Sequence, residues 1–83
     1  MVTTVLYAHA AWCSPCVSYG PLVERLTDEL GIELIHLDMD EGVDQETALQ
    51  YSIRSIPTLI RDTDAEMLVG AAKEDQLREW LNG

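Results

Sequence analysis

The spacing of apolar residues alternates along the chain between the pattern of strands and that of helices. Residues 3–9 and 32–39 are short, mostly apolar runs, which are typical of buried strands. Four apolar residues between these runs fall at helical spacing on one face: Leu22, Val23, Leu26 and Leu30. This order predicts a right-handed parallel unit, and the apolar second strand is typical of a central strand covered on both faces.

The helix between the two strands has recognisable boundaries. Pro15 is acceptable in its first turn, where an amide hydrogen would lack an intrahelical partner. Pro21 removes a hydrogen bond further along, which predicts a kink. Gly31 predicts a left-handed cap that ends the helix near Leu30.

The second half of the chain predicts a short helix and a hairpin. Asp44 is a good N-cap for a helix ending near Tyr51. Strands at 58–61 and 66–69 flank a polar turn at 62–65.

A final amphipathic helix is predicted at 74–82. Glu74 and Asp75 suit its positive N-terminus, and three residues form its buried stripe: Leu77, Trp80 and Leu81. The element order β-α-β-α-β-β-α predicts an α/β fold with a four-stranded mixed sheet flanked by helices. We expect one domain over residues 1–83.

The charge of the chain argues against two classes of partner. Fifteen acids oppose five basic residues, a net charge of −10 over 83 residues. This argues against nucleic acid and against an anionic membrane surface. It favours solubility, and attraction of a basic partner is the alternative. The sequence contains no signal peptide and no run long enough to span a membrane, so we expect a reducing cytoplasm.

Cys13 and Cys16 are the candidate chemical groups. Two cysteines three positions apart at a helix start lie on one face and can alternate between a disulfide and two thiols. The helix N-terminus favours the thiolate of Cys13, which predicts that Cys13 attacks a substrate disulfide. Cys16, one turn inside and more buried, would then resolve the mixed disulfide. Half of a zinc site, completed by His9 and His36, and an inert structural disulfide are the alternatives.

The residues around this pair resemble the thioredoxin family. The segment Trp12-Cys13-Ser14-Pro15-Cys16 is similar to the thioredoxin active site, except that glycine is usual in place of Ser14. Pro21 matches the family's kink proline, and residues 51–58 look like its cis-proline segment. Two further segments, 69–71 and 76–81, are similar to its last strand and helix.

The resemblance implies roles for residues outside the cysteine pair. Ile56–Pro57 would be a cis bond facing the cysteines, with the backbone of Ile56 pairing with an extended substrate. Gly70 would let that substrate approach, and Trp12 would offer a flat docking surface. A loop proline, a turn glycine and a packing tryptophan are the alternatives. The implied substrate-binding set is Trp12, Ser14, Pro15, Ile56, Pro57 and Gly70.

The chain departs from the family pattern in two ways. An extra strand and helix usually precede the cysteine strand, which here is the first strand. Thioredoxins also usually keep a buried aspartate and a lysine where this chain has Tyr7 and His36. We hypothesise that His36 accepts the proton of Cys16 and that Tyr7 hydrogen-bonds His36. The alternative is that both residues pack and water is the base, with His9 either tuning Cys13 or lying at the rim.

The sequence therefore predicts a thioredoxin-like protein-disulfide reductase. It would act as a monomer on disulfide-containing proteins, with no bound cofactor or metal beyond the Cys13–Cys16 disulfide. An NADPH-dependent flavoprotein reductase would recharge it. The alternatives are a glutaredoxin-type enzyme using glutathione, or electron donor to ribonucleotide reductase, and a non-catalytic adaptor with the same fold.

Overall fold

The order of strands and helices is the predicted β-α-β-α-β-β-α. The computed structural model describes residues 1–83. Its elements are β1 (Thr4–His9), α1 (Ser14–Glu29), β2 (Glu33–Asp38), α2 (Gly42–Gln50), β3 (Thr58–Arg61), β4 (Met67–Val69) and α3 (Glu74–Leu81). None of the three helices combines the length and apolar character needed to cross a membrane.

The strands form one mixed sheet in the order β2-β1-β3-β4. β2 runs parallel to β1, whereas β3 is antiparallel to β1 and β4 is antiparallel to β3. Ala8, near the end of β1, therefore pairs with Thr58, the first residue of β3. This register brings the turn after β1 and the segment before β3 to the same end of the sheet.

β2 is an edge strand, so the predicted central position is wrong. Leu37 is its only buried residue, and Ile35 is exposed. Leu34 and Leu37 point to opposite faces of the sheet and pack into two different clusters. The apolar run thus indicates that helices cover both faces of β2. It does not indicate whether another strand pairs with the outer edge of β2.

Two hydrophobic clusters lie on the two faces of the sheet. The larger joins the sheet to α1 and α3, and five of its members are 0% exposed: Val5, Val23, Leu26, Leu59 and Leu77. The smaller lies beneath α2 and comprises Ala8, Leu37, Ala48, Ile53 and Ile60. Removing one fully buried leucine from such a core costs about 2–5 kcal/mol.

The helix boundaries follow the predictions except at α2. Gly31 has φ +67°, the left-handed conformation predicted after α1. Helix α2 begins at Gly42 with Glu41 as its N-cap, so the predicted capping role of Asp44 is wrong. Asp44 lies in the first turn, where its carboxylate accepts the backbone N–H of Asp38 at 2.9 Å. That bond ties α2 to the end of β2.

Candidate active site

Cys13 is the N-cap of helix α1. Its backbone is extended, with φ −94° and ψ 103°, and its Sγ accepts the backbone N–H of Cys16 at 3.3 Å. Pro15 follows in the first turn, as predicted. Free amide groups at a helix N-terminus favour negative charge, so this position stabilises the thiolate of Cys13.

The two cysteines form a disulfide with their Cα atoms 5.2 Å apart. Cys13 is 7% exposed and Cys16 is 3% exposed, so the predicted difference in burial has the expected sign and is small. Ala10, Met39 and Ile56 pack around the pair. The disulfide therefore lies just beneath the surface in an apolar setting.

The Ile56–Pro57 peptide bond is cis, as the resemblance implies. Ile56 packs against the cysteine cluster, and the carbonyl oxygen of Pro57 accepts the backbone N–H of Gly70 at 2.8 Å. Gly70 has φ +87°, and a Cβ atom added there would meet no atom within 4 Å. Gly70 thus holds a left-handed turn beside Pro57 and leaves the space in front of it open.

Trp12 stands at the edge of a shallow groove. Its side chain is 69% exposed, so it does not merely pack against α1, and its indole N–H donates to Asp40 at 3.0 Å. The groove has a volume of about 210 Å³ and is also lined by Met39 and residues 53–56. Ser14 and Pro15 are exposed on the same helix start. Apolar and main-chain groups therefore dominate the surface around the disulfide.

A second cavity lies against Cys16 and has a volume of about 320 Å³. Its lining includes Tyr7, His9, Glu24 and His36. The hydroxyl of Tyr7 donates to the carbonyl oxygen of Cys16 at 2.9 Å, so the predicted bond from Tyr7 to His36 is wrong. Burial, chiefly, raises the pKa of Tyr7 to about 12. Tyr7 therefore stays neutral and fixes the backbone at Cys16.

The two histidines of this cavity are in contact. Nε2 of His9 lies 3.0 Å from Nδ1 of His36, and Nε2 of His36 lies 3.6 Å from a carboxylate oxygen of Glu24. Burial of His9, followed by the nearby His36, lowers the pKa of His9 below its ordinary value. His9 is therefore neutral at neutral pH.

The thioredoxin family model matches residues 2–83, nearly the whole chain. The chain belongs to the thioredoxin family. The thioredoxin of Bacillus subtilis (strain 168) is 38% identical over 78 residues, covering 88% of this chain and 73% of that protein. A thioredoxin of Buchnera aphidicola subsp. Acyrthosiphon pisum is 37% identical over 76 residues, covering 88% of this chain and 70% of its own length.

Two solved thioredoxin structures share the fold. The structure of Fasciola hepatica thioredoxin has a TM-score of 0.81 at 32% identity, over 95% of this chain and 77% of that chain. A mutant thioredoxin from Halobacterium salinarum NRC-1 has a TM-score of 0.84 at 32% identity, over 95% of this chain and 71% of that chain. The four-stranded fold described above is therefore the thioredoxin fold.

The family and the disulfide together define the activity. This member of the thioredoxin family is a thiol–disulfide oxidoreductase that reduces protein disulfides, and Cys13–Cys16 is its redox-active pair. The Cys13–Cys16 pair itself carries the electrons, as two thiols when reduced and as a disulfide when oxidised. The histidine, cysteine and acidic side chains form no group of three or more placed to hold a metal ion.

The contact between His9 and His36 was not predicted from the sequence. The register of the parallel β1–β2 pair would have predicted it. In the parallel pair, Tyr7 lies opposite His36 and His9 lies opposite Asp38. Residues two positions apart share a face, so a predicted parallel β1–β2 pair places the two rings on one side of the sheet. The register itself was not available from the pattern.

Proposed function

We propose that Cys13 is the nucleophile and Cys16 the resolving cysteine of this thioredoxin. The Cys13 thiolate attacks one sulfur of a substrate disulfide, forming a mixed disulfide and releasing the other sulfur as a thiolate. The Cys16 thiolate then attacks Sγ of Cys13 and releases the second substrate sulfur. The substrate gains two electrons and two protons, and the Cys13–Cys16 disulfide forms. The position of Cys13 Sγ at the N-terminus of α1 carries this assignment.

The proposed substrate surface surrounds the cysteine pair. An extended segment of the substrate would pair with the backbone at Ile56, between Trp12 and Gly70. The open space at Gly70 and the groove beside Trp12 support this placement. The remaining members are Ser14, Pro15 and Pro57. Because main-chain bonds carry the affinity, we expect many unrelated protein disulfides to be accepted.

The proposed electron donor is an NADPH-dependent flavoprotein reductase. A glutathione site would need basic groups for the carboxylates of glutathione, and Arg54 is the only basic residue lining the groove. We expect the protein to be a monomer in the cytoplasm. There it would contribute to electron transport and to cell redox homeostasis. Insulin reduction with NADPH and thioredoxin reductase should proceed, whereas glutathione, NADPH and glutathione reductase should support little turnover. The reverse preference would overturn the choice of donor.

Trapping experiments test the roles of the two cysteines. With Cys16→Ser, a disulfide-bonded substrate should accumulate as a mixed disulfide through Cys13, detected by non-reducing electrophoresis and mass spectrometry. Cys13→Ser should trap little under the same conditions. Trapping by Cys13→Ser alone would reverse the two roles. Equal trapping by both variants would show that the helix N-terminus confers no preference.

A further inference from the structure

The two histidines connect the cavity beside Cys16 to the protein surface. Cys16, His9 and His36 line one cavity of about 320 Å³, which has room for water molecules occupying about 30 Å³ each. The side chain of His36 is 44% exposed and faces Glu24, whose carboxylate is also exposed. Cys16 therefore shares a cavity with two histidines in contact with each other, one of which is open to solvent.

The contacts define which ring nitrogens carry protons. Glu24 lies nearest Nε2 of His36, which favours a proton on that nitrogen. Nδ1 of His36 is then an acceptor, and Nε2 of His9 donates to it across 3.0 Å. In neutral His9 this leaves Nδ1 without a proton and available as a base.

We propose that His9 and His36 form a proton relay for Cys16, with His9 as the acceptor and His36 as the exit to solvent. The proposal rests on the resolving role of Cys16 proposed above. The Cys16 thiol gives its proton to Nδ1 of His9, directly or through cavity water. His9 passes the proton on its Nε2 to Nδ1 of His36, and His36 releases its Nε2 proton to Glu24 or to water. The Cys16 thiolate then attacks Cys13.

The surrounding charges are consistent with this direction of transfer. Burial and His36 lower the pKa of His9, so His9 is neutral and ready to accept a proton near pH 7. Three acids oppose this shift from different elements: Glu24 of α1, Asp38 of β2 and Asp44 of α2. They stabilise the positive charge that His9 carries in passing. Tyr7 also lines this cavity, and the raised pKa of its hydroxyl keeps it neutral.

The relay is tested by resolving the two steps of one reaction. The reduced protein is mixed with 5,5′-dithiobis(2-nitrobenzoate) in a stopped-flow instrument, and each thionitrobenzoate release is followed by absorbance. The first release reports attack by Cys13, and the second reports attack by Cys16 on the mixed disulfide. We expect His9→Gln to slow the second release about tenfold or more at pH 7, because positioned bases contribute roughly 10²–10⁴-fold and water replaces part of that effect. The first release should be unchanged.

The pH profile separates proton transfer from packing. With His9 present, the second release should stay nearly constant below pH 8 until His9 is protonated. With His9→Gln it should fall about tenfold per pH unit, following the fraction of Cys16 thiolate. An unchanged second release in His9→Gln, at all pH values, overturns the relay. A slow first release in the unmodified protein, no faster than that of free cysteine, overturns instead the proposed role of Cys13.

His36 is tested by chemical rescue, with a neighbour on the same strand as control. His36→Ala should slow the second release, and added imidazole should restore it, because the position is open to solvent. Glu33→Gln, also exposed on β2, should leave both releases unchanged. A slow second release that imidazole does not restore would mean that His36 only packs, and would overturn its place in the relay.

Long-range ¹H–¹⁵N spectra test the positions of the ring protons. They should show both histidine rings protonated on Nε2, and a proton on Nδ1 of His9 would contradict the role of that nitrogen as the acceptor.

Discussion

The two ends of the sheet differ in the ion pairs that stabilise them. At the end that carries the disulfide, main-chain hydrogen bonds hold the turns together: Gly70 donates to Pro57, and Met39 donates to His9. At the opposite end, the side chain of Arg61 is 10% exposed and forms ion pairs with Asp64 and Glu66.

Further side-chain contacts strengthen the end opposite the disulfide. Arg61 also donates to the carbonyl oxygen of Trp80 at 2.7 Å and lies over the Trp80 ring. Thr3 donates through both its backbone and its hydroxyl to the carboxylate of Asp62. These contacts join β3, the hairpin turn, α3 and the start of the chain.

The comparison indicates a division between stability and activity along β3. Arg61 is the last residue of this strand, and its side-chain contacts hold that end in place. Pro57 immediately precedes the first residue of the strand. The charged end can therefore hold the strand in place while the catalytic end keeps main-chain groups free for a substrate. Substitutions at the two ends should then separate activity from the free energy of unfolding.

The largest effect is expected for Cys13→Ser at the catalytic end. It removes the thiolate, so the rate of insulin reduction should fall about a thousandfold or more, because the hydroxyl is a far weaker nucleophile. Thermal unfolding of the reduced protein should be nearly unchanged. Residual activity within tenfold of the unmodified protein would contradict the assignment of Cys13 and with it the division between the ends.

Arg61→Met should have the largest effect at the opposite end. Methionine retains the apolar packing but leaves the Trp80 carbonyl oxygen without its charged donor, so we expect a loss of about 2–3 kcal/mol in the free energy of unfolding. Urea denaturation measures this loss. Activity per folded molecule should be unchanged at 25 °C. A large loss of specific activity in the folded variant would show that the two ends are coupled.

Gly70→Ala should affect both stability and substrate binding. An alanine at φ +87° costs about 1 kcal/mol of folding free energy, although its Cβ meets no neighbour. The added methyl group lies where the substrate backbone is proposed to pass, so KM should rise several-fold with little change in kcat. Gly42→Ala, in helix α2 and without a positive φ, is the control and should be neutral or slightly stabilising. Equal KM values for the two variants would exclude Gly70 from the substrate surface.

The parts of the fold that were predicted correctly depend on local patterns. The cysteine helix follows from Pro15, the apolar spacing and Gly31, all of which act within one or two turns. The cis bond before Pro57 came from the resemblance to thioredoxins, since no local property of the residues distinguishes it from a loop proline. Sequence therefore located the cysteine pair and its immediate neighbours.

The incorrect predictions depend on which elements lie side by side. β2 is apolar because helices pack on both of its faces, and its edge position depends on pairing that the pattern does not contain. Asp44 reaches the backbone of Asp38, and Tyr7 reaches the carbonyl oxygen of Cys16, through contacts that cross from one element to another. The contact of Arg61 with the carbonyl oxygen of Trp80 was missed for the same reason, because it joins β3 to α3.

The smallest predicted effect concerns the pH dependence of the charged end. The hydrogen bond from Arg61, chiefly, lowers the pKa of Asp64 from 3.8 to about 2 in the folded protein. A carboxyl group with a lowered folded pKa stabilises the fold above its unfolded pKa, and this stabilisation disappears as the pH falls through the folded value. Asp64→Asn should therefore be less stable than the unmodified protein at pH 6, with the difference shrinking below about pH 4 and vanishing only near pH 1, below the folded pKa. Urea titrations at a series of pH values measure this, with Glu46→Gln on α2 as the control. A difference that keeps its full size at pH 2 and persists at about pH 1 would mean that the Asn side chain disturbs the turn rather than the ion pair.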